Sequence, residues 1–167
     1  MAADVQPADW RLKAFDDANS ALSEMERQER EILVREEPTL KDYEDRLMLP
    51  WREAVAHLRR LIFLKRLKED PEKIRMEPTP WAWALDSPRK REDLKALLSG
   101  DGGQEIEKAY DDMLRTLEAL HAREDLLAVR NSVYGKHRAE MHAIEESLTK
   151  KLNAIQESVS GRLRSTH

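Results

Sequence analysis

The chain predicts an all-α fold, an elongated helical bundle with a long coiled-coil-type helix at its C-terminal end. Three observations carry this. Charged residues make up 37% and hydrophobic residues 40% of 167 positions, with only five glycines, the profile of long solvated helices. Apolar side chains recur at spacings of three and four through most of the chain, the period of a half-buried helix. Runs of β-branched residues that would favour strands are absent. The length suits one domain of ordinary size or one elongated module, organised as a helical region over residues 1–100 and a long amphipathic helix over 101–167.

The first helix is expected to open at Asp9, whose carboxylate can cap free amides of the next turn, and to run to about Glu36, ahead of Pro38. Phe15, Ala18, Leu22, Met25 and Ile32 form a narrow stripe at heptad-like spacing, interrupted by Glu29. Thr39 can cap a second helical stretch through Leu49, and Pro50 then either kinks it or sits in the first turn of a new helix beginning at Trp51. Over 51–68 the residues Trp51, Val55, Leu58, Leu61, Ile62, Phe63, Leu64 and Leu67 cover more than one helix face. That breadth makes this helix the best core candidate.

Charge separates these elements. Residues 9–37 carry Asp9, Asp16, Asp17, Glu24, Glu26, Glu29, Glu31, Glu36 and Glu37, whereas 51–68 carries Arg52, Arg59, Arg60, Lys65, Arg66 and Lys68 against Glu53 alone. Opposite signs favour pairing of the two helices, although an exposed contact contributes only about 0–1 kcal/mol. Beyond them, Pro71, Pro78, Pro80 and Pro88 forbid a continuous helix and make residues 69–88 a Pro/Trp-rich connector. Ser87 and Pro88 suit the start of a short helix through Leu98, with Leu94, Leu97 and Leu98 inward, Gly100 ending it and Asp101, Gly102 and Gly103 turning.

The final helix, over 104–163, would be roughly 90 Å long if unbroken, at ~1.5 Å per residue. Ile106, Tyr110, Met113, Leu117 and Leu120 form a heptad segment. Val133, His137, Met141, Ile144, Leu148, Leu152, Ile155, Val159 and Leu163 step by four, four and three, an eleven-residue repeat. Between them, residues 130–136 include Asn131, Ser132 and Gly135, which weaken a helix. A bend at this join would turn the rod into a hairpin. The leading expectation is that Ile106 to Leu120 packs on the chain's own helices, while the later seam projects and associates with another chain.

Candidate chemistry is sparse. The chain has no cysteine, which excludes disulfides, thiolate metal sites and cysteine nucleophiles and permits a reducing, cytoplasmic setting. Residues 1–9 lack a basic segment followed by an apolar core, so no secretory leader is expected. The longest apolar run, 61–64, is far too short for a membrane span. Glu118 and His121 have the Glu-x-x-His spacing of di-iron bundles, but no second copy occurs, and a solvated helix face is the better reading. His57 lies beside Arg59 and Arg60 without the small following residue of phosphotransfer helices, and reads as an ordinary, partly buried histidine.

His137 and Met141 share the seam with Ile144 and Leu148, so packing outweighs a soft metal pair. A polar His137 in that seam could fix register, and its charging below about pH 6.5 would loosen it. The basic residues of 51–68, with Arg89, Lys90 and Arg91, could meet phosphates, but no nucleic-acid-binding pattern accompanies them and pairing within the protein is favoured. Trp81 and Trp83, framed by Pro80 and Pro88, either cover the end of the bundle or form a recognition segment.

No nucleophile, base and orienting group can be assembled by spacing, and no phosphate-cradling Gly loop is present. The expected function is a non-catalytic helical scaffold or adaptor without cofactor or metal, binding a protein partner or itself. Its partner-binding residues would be Trp81 and Trp83 together with the seam from Val133 to Leu163. The alternative is a nucleic-acid-associated regulator acting through helix 51–68.

Overall fold

The computed structural model describes residues 7–72 and 103–165. In chain order these form α1 (Pro7–Glu36), α2 (Leu40–Tyr43), a π-helical turn (Glu44–Met48), α3 (Leu49–Glu69), α4 (Gly103–His121), α5 (Glu124–Lys136) and α6 (Arg138–Ser165), with no strand among the described residues. The expected short helix from Ser87, the turn at Asp101 and Gly102, and both Trp81 and Trp83 lie outside the described residues.

α1 is described from Pro7. It stops before Pro38, which disfavours helical geometry at Glu37; the last bond runs from the Glu37 amide to the Leu33 carbonyl at 2.9 Å. Thr39 does not cap α2 with its side chain. Its backbone is already helical, and the Leu40 amide bonds to the Glu37 carbonyl at 2.9 Å. Of the two roles open to Pro50, the structure shows the first turn of a new helix, which begins at Leu49 rather than at Trp51. This helix, α3, follows directly on the π-helical turn, where the Leu49 amide reaches back five residues to the Glu44 carbonyl. A widened turn makes room for a ring that would otherwise press on the preceding turn.

Among the described residues two antiparallel pairs build the bundle, α1 with α6 and α3 with α4. Trp10 near the start of α1 lies under the Arg162 guanidinium near the end of α6, 5.1 Å from the ring centre, while Glu36 at the other end approaches His137 at 3.2 Å. α3 runs antiparallel to α1: Phe15 stacks on Phe63 with ring centres 4.4 Å apart, and Arg52 faces Glu26. α4 returns along α3 and ends beside the π-helical turn. Arg123, just beyond α4, there acts electrostatically on Tyr43. α5 crosses that end, against α1, α2 and α4.

The helix expected over 104–163 is broken twice, at Ala122–Arg123 and at His137. Arg123 adopts φ −110°, ψ 56° and His137 φ −108°, ψ 30°. The first break has a packing cause. Continuing the stripe past Leu120 at helical spacing would point Arg123 and Glu124 inward, and the bend instead turns Leu126, Val129 and Val133 onto the core. The second falls one residue beyond the weak join. A Cβ added at Gly135 meets nothing within 4 Å, so that glycine serves no close approach.

Because α6 folds back on α1, the C-terminal seam does not project. Val133, Met141, Leu148, Leu152 and Val159 are buried in the chain's own interior, with Ile144, Ile155 and Leu163 half-buried beside them. The seam, expected to project, is instead covered by α1 and α3 of the same chain. His137 leaves the seam altogether. Its ring nitrogens face Glu36 at 3.2 Å and Glu140 at 3.1 Å, so a proton added there meets two carboxylates rather than an apolar contact.

Among the described residues the interior has two apolar clusters. One gathers Leu33, Leu40, Tyr43, Met48, Trp51, Val55, Leu58, Met113, Leu117, Leu120, Val133 and Met141 around α3 and α4. The other joins Ala18, Leu22 and Met25 of α1 to Phe63 and Leu67 of α3 and Leu148, Leu152 and Val159 of α6. Along α1 the clusters are separated by Glu26 and Glu29, and along α6 by Glu145.

Candidate functional site

The separating layer is the most unusual chemistry among the described residues. Glu29 occupies the heptad position that interrupts the α1 stripe, and helical packing therefore carries it inside with Ala18, Leu22, Met25 and Ile32, leaving it 4% exposed. Glu26, one turn earlier, is also buried, and Glu44 of the π-helical turn is completely enclosed. A buried ionised carboxylate is costly unless it is paired and hydrogen-bonded. α3 and α5 bring the required partners.

Arg130 of α5 donates its Nε to Glu44 Oε1 at 2.6 Å, and Arg52 of α3 donates to the other Glu44 oxygen. Glu44 thus binds two guanidiniums, one on each oxygen. Arg52 Nε also lies 3.1 Å from Glu26 Oε2, without the alignment of a hydrogen bond, so that contact is Coulombic. Arg59, one further turn pair along α3, donates to Asn19 Oδ1 at 3.0 Å. On the other side of α1, the Tyr134 hydroxyl of α5 lies 3.2 Å from Glu29 Oε1 and also contacts Glu145 of α6.

Burial dominates the electrostatics of the α1 pair. Desolvation pushes the Glu26 carboxyl up to about 7 from 4.5, against the opposing pull of Arg52 and Arg59. Glu29 is likewise pushed up to about 7 by burial, with Arg130 pulling it down and Glu145 raising it through charge and hydrogen bonding. Desolvation lowers the Arg59 guanidinium, and Glu26 opposes this. An exposed pair shows the opposite case: hydrogen bonds from Arg27 hold Glu24 down at about 2. Burial thus disfavours the charged form of both carboxyls, and the neighbouring arginines oppose it.

The residues singled out from the sequence fall elsewhere. Glu118 and His121 are exposed, and so is His57, which is less buried than expected. Met141 enters the core while His137 turns to carboxylates, so their spacing does not produce a convergent pair. No group of three or more His, Asp or Glu among the described residues is arranged to hold a metal ion. Of the basic helix, Arg52 and Arg60 pair with Glu26, Glu44 and Asp16, and Arg59 with Asn19, all toward α1 or the π-helical turn. The complementary charges of the two helices do meet.

Glu26, Glu44, Arg130, Tyr134 and Glu145 were not singled out by sequence reasoning. The available signal was Glu29 inside an apolar stripe, which demands buried partners. Which residues supply them depends on the two breaks that return α5 and α6 to α1. No described helix is long and apolar enough to cross a membrane. The fold and the layer together define an all-α helical bundle with an internal charge network. Searches of protein-family models, curated proteins and solved structures found no match to this chain.

Proposed function

We propose that this protein is a non-catalytic helical scaffold or adaptor subunit that recognises a protein partner through the segment carrying Trp81 and Trp83. The observation that carries this reading is the connection between α3 and α4. In the sequence, residues 70–102 lie between the described ends of α3 at Glu69 and α4 at Gly103. The intervening residues hold Trp81 and Trp83, and tryptophan is enriched among residues that dominate protein interfaces.

Two further features support it. The C-terminal seam is engaged inside the bundle, and the large apolar side chain left exposed among the described residues is Leu49. The frame therefore offers little apolar surface of its own for docking. The partner is a protein chain, a second copy included, in the reducing, cytoplasmic setting that a cysteine-free chain suits. No specific observation favours the nucleic-acid alternative, since Arg52, Arg59 and Arg60 are engaged with neighbouring helices.

The test is recovery of the complex from the native source with its mass measured, for the wild type and a Trp81→Ala/Trp83→Ala variant. Loss of the partner by a variant with unchanged helix content and melting temperature is expected. Retention of the partner by a variant that melts earlier would assign the tryptophans to covering the bundle instead.

A further inference from the structure

Around Tyr134 a single hydroxyl hydrogen faces two carboxyl groups. A tyrosine hydroxyl has one hydrogen to give, and ionised carboxylates only accept. Yet the Tyr134 oxygen lies within hydrogen-bonding distance of Glu29 Oε1, at 3.2 Å, and of Glu145 Oε1. With both carboxyls ionised, one of the two contacts would set the hydroxyl oxygen's lone pairs against a carboxylate. With one carboxyl protonated, Tyr134 donates to the carboxylate and accepts from the acid, and both contacts become hydrogen bonds. We infer that Glu29, Tyr134 and Glu145 form a proton-holding clasp that fastens α6 to α1, tightened when the carboxyl pair holds one proton and loosened when that proton is lost to solvent.

The position of the clasp explains why its opening matters. Glu29 belongs to α1, Tyr134 to α5 and Glu145 to α6, so one proton joins the three elements that meet at the His137 break. On α6, Glu145 lies between Met141 of one apolar cluster and Leu148 of the other. Releasing the proton leaves two carboxylates facing each other and one hydroxyl, and loosens the contact that holds Leu148 and Leu152 against α1.

Charges from every neighbouring element bear on this site. Arg52 of α3 and Arg130 of α5 favour ionisation of Glu29, while Glu145 of α6 opposes it, as burial does. Glu26 of α1 lies beside Glu29 and faces Arg52 and Arg59. Arg52 and Arg130 are also bound to Glu44 of the π-helical turn. Glu44 thus shares the attraction of both arginines, which leaves the Glu29 and Glu145 pair with a role for a shared proton.

The clasp is tested on the full chain by infrared spectroscopy at about pH 6, where ordinary carboxyls have ionised, with Glu26→Gln as background to remove the neighbouring buried acid. A protonated-carboxyl band is expected; adding Glu29→Gln is expected to abolish it and Glu145→Gln to shift its frequency. Absence of the band, its survival in Glu29→Gln, or an unshifted band in Glu145→Gln would overturn the shared proton. Amide hydrogen exchange supplies an independent reading without the Glu26 background. After correction for intrinsic rates, protection across residues 144–152 should fall between pH 6 and 8 by up to about tenfold per pH unit, the slope set by one proton. Glu29→Gln should flatten that dependence; equal slopes in both proteins would refute the clasp.

Discussion

The two helix pairs of the bundle are held by different physics. Between α3 and α4, the side chains of Val55, Leu58, Ile62, Met113, Leu117 and Leu120 are buried against one another with no charged residue among them. Between α1 and α6, apolar contacts at Leu22, Met25, Leu148 and Leu152 give way to Glu29, Tyr134 and Glu145, with Glu26 and Arg52 alongside. Apolar burial is non-directional and tolerates small shifts in register. A charged layer tolerates none, because any slip strands a buried charge. The α3–α4 pair is therefore expected to hold alike at all pH values, and the α1–α6 pair to respond to pH through Glu26 and Glu29.

Breaking the layer should have the largest effect. Arg130→Ala removes one of the two guanidiniums on the fully enclosed Glu44 and is expected to cost about 3–5 kcal/mol in urea unfolding, the range for stranding a buried charge. Glu44→Gln in the Arg130→Ala background should recover part of that loss. If the single variant unfolds like the wild type, the layer is not holding the helices in place.

The apolar pair should respond next. Leu117, 2% exposed, is expected to lose about 2–5 kcal/mol on replacement by alanine, from transfer and cavity terms together. Its deficit should be the same at pH 5.5 and pH 8. A pH-dependent deficit would show that the two regions are coupled more closely than their chemistry implies.

The pH response itself is a smaller effect with an unusual sign. Glu26 and Glu29 have folded values near 7 against a reference of 4.5. Between those values the folded state binds more protons than the unfolded chain, so stability falls as pH rises. Their contribution is fully present below about 4.5 and lost as pH passes through about 7. The melting temperature should therefore be several degrees higher at pH 5.5 than at pH 8. A Glu26→Gln/Glu29→Gln variant should show little of this change and melt higher than the wild type at pH 8.

Surface substitutions should scarcely register. His57→Ala and Glu118→Ala alter exposed positions and should stay within about 0.5 kcal/mol of the wild type. Arg27→Ala, which breaks exposed contacts with Glu24 and Glu31, should cost about 0–1 kcal/mol. A larger loss at any of these would mean that the surface contributes to the frame in a way the two interfaces do not explain.

Much of the fold was legible along the chain because helices announce themselves locally. The stripes on α1, α3 and α4 have the spacing of a buried helix face, and Pro38 marks the end of α1 within a residue or two. The candidate site was only half legible. Glu29 in an apolar stripe signalled an unusual burial, whereas Glu44 and Arg130, separated by 86 positions, carry no mutual signature. The break at Ala122–Arg123 has neither glycine nor proline to announce it.

By itself, then, the sequence determined the helical class, the apolar faces, the opposite charges of α1 and α3 and the absence of cysteine chemistry, since each depends on residue type and short-range spacing. Only the tertiary structure decided that the C-terminal seam turns inward rather than outward. The eleven-residue repeat of α6 fits a partner helix of either origin equally well. Two bends, at Arg123 and His137, bring it to α1 of the same chain, where burying Leu148, Leu152 and Val159 closes the core and carries Glu145 to Tyr134 and Glu29.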